Sequence, residues 1–216
     1  MNNGNQLASK YRGKTVLAVG AHPDDLEIGI GGTLARLAQE GVKVVMVVVC
    51  VPSSLEARLT EARQASAILG CELRLLFAEK CRRVEDLKTY ELVGLLDRLV
   101  QEHQPAAMVS HALNNFHRDH ALVYNACLAT QRMSFHDFFC YYPTSCHPVH
   151  VPFFPQAFVD ISTTIEAKMS AIAAHASQFS CRGLATDHYR MAAREYGRLA
   201  GVEYAEGLEV VRMMLT

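Results

Sequence analysis

The eight residues Gly20-Ala-His-Pro-Asp-Asp-Leu-Glu27 set a histidine and three acids directly after the apolar run TVLAVG. Charge at the end of a buried strand is costly unless something positive lies beside it, and a metal ion is the partner that these residue types suit. Pro23 fixes its own φ and biases His22 towards an extended conformation, so the turn is stiff and presents His22, Asp24 and Asp25 in a set geometry. A second cluster, Phe116-His-Arg-Asp-His120, follows the loop HALNN. With a helix beginning at Arg118, His117 and His120 fall on the same side of its first turn. His22, one of the two aspartates and one of these two histidines then make three protein ligands and leave a coordination position for water, as catalytic zinc sites do. The residue types alone do not decide which aspartate and which histidine bind. The carboxylate left over is placed to take a proton from that water, and the second histidine to stabilise charge on a substrate carbonyl oxygen.

The two clusters differ in specificity. Adjacent aspartates after a buried strand repel one another and lose hydration, so HPDDxE points to function, whereas an isolated HxDH also describes a capping arrangement at a helix start. Glu27 serves either as support behind the ligands or as an acid near a helix N-terminus. The run Gly29-Ile-Gly-Gly-Thr33 has GxGG spacing and not the GxGxxG of a dinucleotide loop, and the acids before it would repel a pyrophosphate; its expected role is close packing of helix against strand. Cys146-His147-Pro-Val-His150 lies among prolines and reads as a solvated or substrate-facing loop rather than a second metal cluster. His175, in AAHASQF, reads as a hydrogen-bonded core or rim residue.

These side chains need a scaffold that brings two strand ends together. TVLAVG, KVVMVVVC, ELRLLF and AAMVSH are short and nearly all apolar, which suits strands covered on both faces. GTLARLAQEG, LEARLTEARQASAILG and KTYELVGLLDRLVQEHQ between them carry helical spacing, with Gly41 and Gly70 as stop signals. Strand and helix in alternation predict an α/β fold, Rossmann-like with three α/β/α layers and a mostly parallel sheet. In such a sheet ligands bind beyond the carboxyl ends of the strands, near the switch in strand order, and both clusters fall there. Further along, RDHALVYNACLATQRM, TIEAKMSAIAAHASQF and DHYRMAAREYGRLAG read as helices, FFCYY, AFVDIS and YAEGLEVVRM as strands, and PTSCHPVHVPFFPQ as a loop.

The 216 residues, without repeat, low-complexity tract or linker, are expected to form a single domain, 1–216. A formal net charge of −1 gives no global field to attract nucleic acid or an anionic membrane, so neither is an expected partner. No apolar run approaches the roughly 20 residues that span a bilayer, and MNNGNQLASKYRGK has no apolar segment of a secretory signal. Seven cysteines without a CxxC pair read as reduced thiols, many of them core residues, in a cytoplasmic protein.

GAHPDDLEIGIGGT followed by HRDH resembles the PIG-L/LmbE-like deacetylases, metal-dependent enzymes that remove N-acetyl groups from N-acetylglucosaminyl compounds. The likeness extends to RLTEARQASAILG, KMSAIAAHASQF and EYAEGLEVV, and leans towards the bacillithiol-type branch. By that resemblance His22, Asp25 and His120 are the metal ligands, for Zn²⁺ with Fe²⁺ as an alternative in vivo. Asp24 is the general base that later protonates the leaving amine, His117 assists at the oxyanion, and Asp119 orients His117. Arg58 and, less directly, Tyr189 become substrate contacts, with Arg118 at the rim; the substrate is a small acetamido sugar and the protein a homo-oligomer, trimer or hexamer. The chain departs from the family in having Arg118 where proline is common, Glu79-Lys-Cys-Arg-Arg83 in place of a Pro-Asp-Gly-like turn, and Asn115 where some relatives carry tyrosine. Those departures fall on the acceptor side of the substrate. Two histidines and a carboxylate also describe a non-haem iron triad, but that chemistry needs no spare base such as Asp24. An amidase acting on a thiol-cofactor conjugate and a non-catalytic sugar-binding module complete the alternatives.

Overall fold

The computed structural model describes residues 6–143 and 152–215, so Cys146, His147 and His150 lie outside the described residues. Its elements run α1 (Gln6–Tyr11), β1 (Thr15–Gly20), α2 (Asp25–Gln39), β2 (Lys43–Cys50), α3 (Leu55–Leu69), β3 (Glu72–Phe77), α4 (Thr89–His103), β4 (Ala107–His111), α5 (Arg118–Ala129), β5 (Asp137–Tyr141), β6 (Ala157–Asp160), α6 (Ile165–Ala174), α7 (Asp187–Ala200) and β7 (Ala205–Arg212). The strands form one sheet in the order β3-β2-β1-β4-β5-β7-β6. The first five are parallel, and β7 runs antiparallel between β5 and β6. This is the expected α/β architecture with a mostly parallel sheet.

Alternation along each strand feeds two cores. Val16 and Ala18 of β1, with Val44 and Met46 of β2, pack against Leu34 of α2, Leu69 of α3 and Ala171 of α6. Leu17, Val19, Val45 and Val47 point to the other face, against Leu92 and Leu96 of α4 and Val123 of α5. Strands buried on both faces carry few polar positions, which is why their sequences read as nearly unbroken apolar runs.

Three elements differ from the sequence reading. The short α1 carries too few residues for a helical period to be legible; its Tyr11 is buried and donates to Asp137 at 2.6 Å. Helix α2 begins at Asp25, ahead of the glycines rather than after them. Helix α6 ends at Ala174, earlier than the apolar period suggests, because the Ser177 amide and hydroxyl turn to the Glu61 carboxylate at 2.7 and 2.6 Å.

The glycines explain themselves in α2. A Cβ on Gly29 would lie 2.2 Å from the Tyr141 ring, and one on Gly32 would lie 2.7 Å from Ile161, so both admit a close approach of helix to sheet. The helix also breaks at Ile30, whose φ of −143° is non-helical. Its freed amides, Gly32 and Thr33, donate to Glu206 at 3.0 and 2.7 Å, while Lys168 donates to the Ile28 carbonyl at 2.7 Å. Lys168 and Glu206 meet at 2.5 Å with 3 % of each side chain exposed. The glutamate of the YAEG run is therefore a splint for the helix that carries the HPDD turn.

Removing one partner of a buried, hydrogen-bonded charge pair costs about 3–5 kcal/mol. Glu206→Leu strands Lys168 and two amides, and is expected to cost that much in urea unfolding. Lys168→Met leaves Glu206 with both amide donors and is expected to cost less; equal losses would contradict the splint.

Candidate metal centre and cleft

Strands β1 and β4 are neighbours at the point where strand order reverses, and their carboxyl ends carry the two clusters. Residues 21–24 turn out of β1, and Asp24 ends the turn at φ 93°, a left-handed conformation that aspartate tolerates better than most side chains. Arg58, buried in α3, fixes this turn by donating to the Pro23 carbonyl at 2.7 Å and lying 3.4 Å from Asp24 Oδ1. Asp25 Oδ2 accepts the His22 amide at 2.7 Å, which points the carboxylate back across the turn. On the β4 side His117 caps α5: its Nδ1 accepts the Asp119 amide at 3.3 Å. In a neutral His117 the proton therefore sits on Nε2.

His22, Asp25 and His120 offer one ligand atom each within 4.8 Å of one another, all three residues being buried. His120 Nε2 is 3.2 Å from Asp25 Oδ1, and His22 Nδ1 is 3.7 Å from Asp25 Oδ2. Ligands arranged tetrahedrally around zinc at its usual bond lengths stand about 3.4 Å apart. The donor chemistry fits as well. His22 Nε2 meets Asp119 Oδ2 at 2.9 Å, so the ring gives its proton to that carboxylate and leaves the Nδ1 lone pair for a cation, the usual arrangement of a metal-binding histidine and its supporting acid.

The electrostatics of the metal-free chain point the same way. Burial works to lower His22, but the Asp119 bond and the charges of Asp25 and Asp119 outweigh it and hold the imidazole above its ordinary value. Burial would raise Asp25, yet the neighbouring His120 holds it well below the carboxylate range. The centre attracts positive charge. Asp24 behaves differently: burial, with the charge of Asp25 adding to it, pushes its carboxyl up to about 7 despite Arg58. His117 is lowered by burial and by the neighbouring His120 and His22, which favours the neutral Nε2–H form.

The structure redirects some expected roles. Asp119 was expected to orient the His117 ring; its carboxylate instead grips His22 and accepts the amides of Val84 and Glu85 at 3.1 and 2.9 Å, and only its backbone amide reaches His117. The first turn of α5 points the Asp119 side chain inward, where it is buried, away from the exposed His117 ring. Arg58 is 4 % exposed and mainly supports Asp24 and its turn. Glu27 lies below the ligands, 3.1 Å from the buried His175 Nε2. His22, Asp24, Asp25, Arg58, His117, Arg118, Asp119, His120 and Tyr189 all line one cleft of about 650 Å³, a volume suited to a small ligand. Arg83, Glu85 and Asn115 join them there.

His111, at the end of β4, is absent from the sequence reading. It is fully buried, accepts the Ala21 amide at 3.0 Å, and stacks on His120 with centroids 3.9 Å apart and planes 8° from parallel. Burial lowers it to about 4, so it is neutral. Its position at the carboxyl end of a strand beside the switch was the available signal. Burial pushes the thiols of Cys50, Cys71 and Cys127 up to about 12, as suits packed core residues.

Comparison with known proteins bears on this site. Residues 17–130 match the PIG-L family model, described as GlcNAc-PI de-N-acetylase. The uncharacterized deacetylase YaiS of Escherichia coli K12 is 34% identical over 137 residues, covering 58% of this chain and 72% of its own. The diacetylchitobiose deacetylase of Thermococcus kodakarensis is 26% identical over 238 residues, covering 92% and 83%. Among solved structures, the conserved protein TT1542 of Thermus thermophilus superposes with a TM-score of 0.79 at 26% identity, over 93% of this chain and 96% of that one. The 4-carboxy-2-hydroxymuconate hydratase GalB of Pseudomonas putida KT2440 does so with a TM-score of 0.76, over 94% and 98%, but at 22% identity that likeness is of fold alone.

Two outcomes check the geometry. Supporting carboxylates of metal-binding histidines are worth roughly 10–100-fold in affinity, so Asp119→Asn is expected to weaken zinc binding by that factor in chelator competition; unchanged affinity would remove Asp119 from the site. The second concerns Asp24 in metal-free protein. An acid raised in the folded state destabilises it progressively as pH climbs from the unfolded value near 3.9 to about 7. Asp24→Asn is therefore expected to raise Tm at pH 8 more than at pH 4, and a pH-independent difference would refute the buried-charge account.

Proposed function

The chain belongs to the PIG-L family, GlcNAc-PI de-N-acetylase, and on that premise we propose that it is a metal-dependent deacetylase that hydrolyses the acetamide of a small amino-sugar conjugate to acetate and a free amine. The observation that carries the reading is the second carboxylate: Asp24 stands beside the His22, Asp25 and His120 donor set, belongs to no ligand pair, and has its proton affinity raised to about 7. His22, Asp25 and His120 would hold a divalent ion, Zn²⁺ or Fe²⁺, which when bound would supply Lewis acidity for the amide carbonyl and for water.

The chain's own groups account for the proton movements. Asp24 Oδ takes a proton from water on the cleft side and returns it to the departing nitrogen; a group poised near neutral pH serves both directions. Arg58 holds the Pro23–Asp24 turn, so the carboxylate keeps its aim. His117, with Nδ1 occupied by the Asp119 amide, presents Nε2–H to the cleft as a donor for the carbonyl oxygen as it gains charge. Tyr189, 5 % exposed against Phe179, gives the cleft an aromatic wall suited to a sugar face. The deacetylase names borne by relatives support the reaction type.

Acetate release from a panel of N-acetylglucosaminyl conjugates by zinc-loaded protein tests the reading. Asp24→Asn is expected to lose about 10²–10⁴-fold in kcat while elemental analysis finds the metal retained. Full activity in that variant, or no release from any conjugate at confirmed metal occupancy, would sink it.

A further inference from the structure

We propose that the lip of the cleft formed by Arg83 and Arg118 is a subsite for an anionic substituent, a carboxylate or phosphate, on the acceptor portion of the substrate; this rests on the deacetylase reading of the same site. The two arginines come from different segments, the turn after β3 and the first residue of α5, and both line the cleft. One carboxylate locks those segments together. Asp119, the neighbour of Arg118 in sequence, accepts the amides of Val84 and Glu85, the residues directly after Arg83. Val84 is 1 % exposed in the α4–α5 core, and Asp86 accepts the Arg83 amide at 3.3 Å, so the backbone beneath Arg83 is held on two sides. The lip is thus a built feature, presenting two arginines from backbone positions tied to one another through Asp119.

Their present partner shows what they suit. Arg83 Nη1 lies 3.2 Å from Glu85 Oε1, and Arg118 Nη1 lies 3.9 Å from Glu85 Oε2. Two guanidiniums share the one Glu85 carboxylate. Side chains 67% and 78% exposed gain little from such a pairing, whereas planar guanidinium forks bind carboxylate and phosphate oxygens in pairs. The third arginine of the cleft, Arg58, is committed to Asp24 and Pro23. Deeper in, the cleft is lined by the Asp24 and Asp25 carboxylates, so an anion on the substrate is drawn to the lip while the neutral acetamide enters.

Probes matched at the anomeric position test this: methyl N-acetylglucosaminide as the neutral sugar, with N-acetylglucosamine 1-phosphate and carboxymethyl N-acetylglucosaminide as the phosphate and carboxylate forms. Titration calorimetry of zinc-loaded Asp24→Asn protein is expected to show at least one anionic probe binding about tenfold tighter than the neutral one at low salt, with the ratio falling as ionic strength rises. That ratio is expected to drop to about twofold or less when Arg83→Ala and Arg118→Ala are combined, and to be partly restored by Arg83→Lys with Arg118→Lys, which keep charge but not the fork. Wild-type kcat/KM is expected to follow the same order. Equal binding of all probes would overturn the subsite while leaving the deacetylase reading intact, and a preference that survives the double alanine variant would overturn it by placing the anion elsewhere. Failure of wild-type protein to release acetate from any probe would count against the deacetylase reading alone, since the binding ratio still decides the lip.

Discussion

The Asp119 carboxylate is the point on which the site depends. It joins three segments distant in sequence: the turn after β1 through His22, the 3-10 turn at Val84–Asp86 through two amides, and α5 through its own backbone. Its charge is stabilised there. Burial alone would raise its pKa, but the His22 bond and the two amides hold it below the ordinary value. A carboxylate that is ionised and fully engaged can fix the tautomer of His22 and, in the same act, the position of the cleft's outer wall. The inner donor set and the outer lip are therefore one mechanical unit, although one is a buried cluster and the other faces solvent.

A second constraint supports the first from below. Helix α2 must begin directly after the HPDD turn, yet glycines within it allow contact with Tyr141 and Ile161 that a regular, fully substituted helix would forbid. The break at Ile30 reconciles these demands, and the Lys168–Glu206 pair satisfies the backbone groups it exposes. Because α6 supplies the lysine and β7 the glutamate, the distant C-terminal third of the described chain sets the orientation of the residues that open the site.

Much of this was legible in the residues. Apolar runs marked four of the five parallel strands, and a parallel sheet followed from strand and helix alternating; the pairing of β1 with β4 at the switch is a property of the fold that alternation does not fix. HPDD and HxDH named the donor types; the selection of Asp25 and His120 came from the family resemblance, and the donor distances agree with it. What the residues hid depended on tertiary partners. His111 looked like the last residue of a strand, Glu206 like one acid among the residues of the strand run YAEGLEVVRM, and Asp119 like a support for its neighbour His117. No local pattern distinguishes a carboxylate that turns towards a histidine 97 positions away in sequence from one that caps its own helix.

Asp24 shows why the scaffold needs so many ties. A left-handed φ, a partly buried carboxylate and an ionised neighbour each oppose the folded state. The opposing interactions are contributed by residues outside the donor set: Arg58 on the Pro23 carbonyl, Glu61 on the turn that follows His175, Glu206 on the broken helix. A base that keeps its proton near neutral pH exists only where water is partly excluded, and excluding water from an acid is destabilising. The RxxE pair of α3 is then understood through that balance, with Arg58 and Glu61 on one helix bracing the two turns that flank Asp24 and His175. Its place in the molecule is structural, and its consequence is the proton affinity of the carboxylate beside the metal ligands.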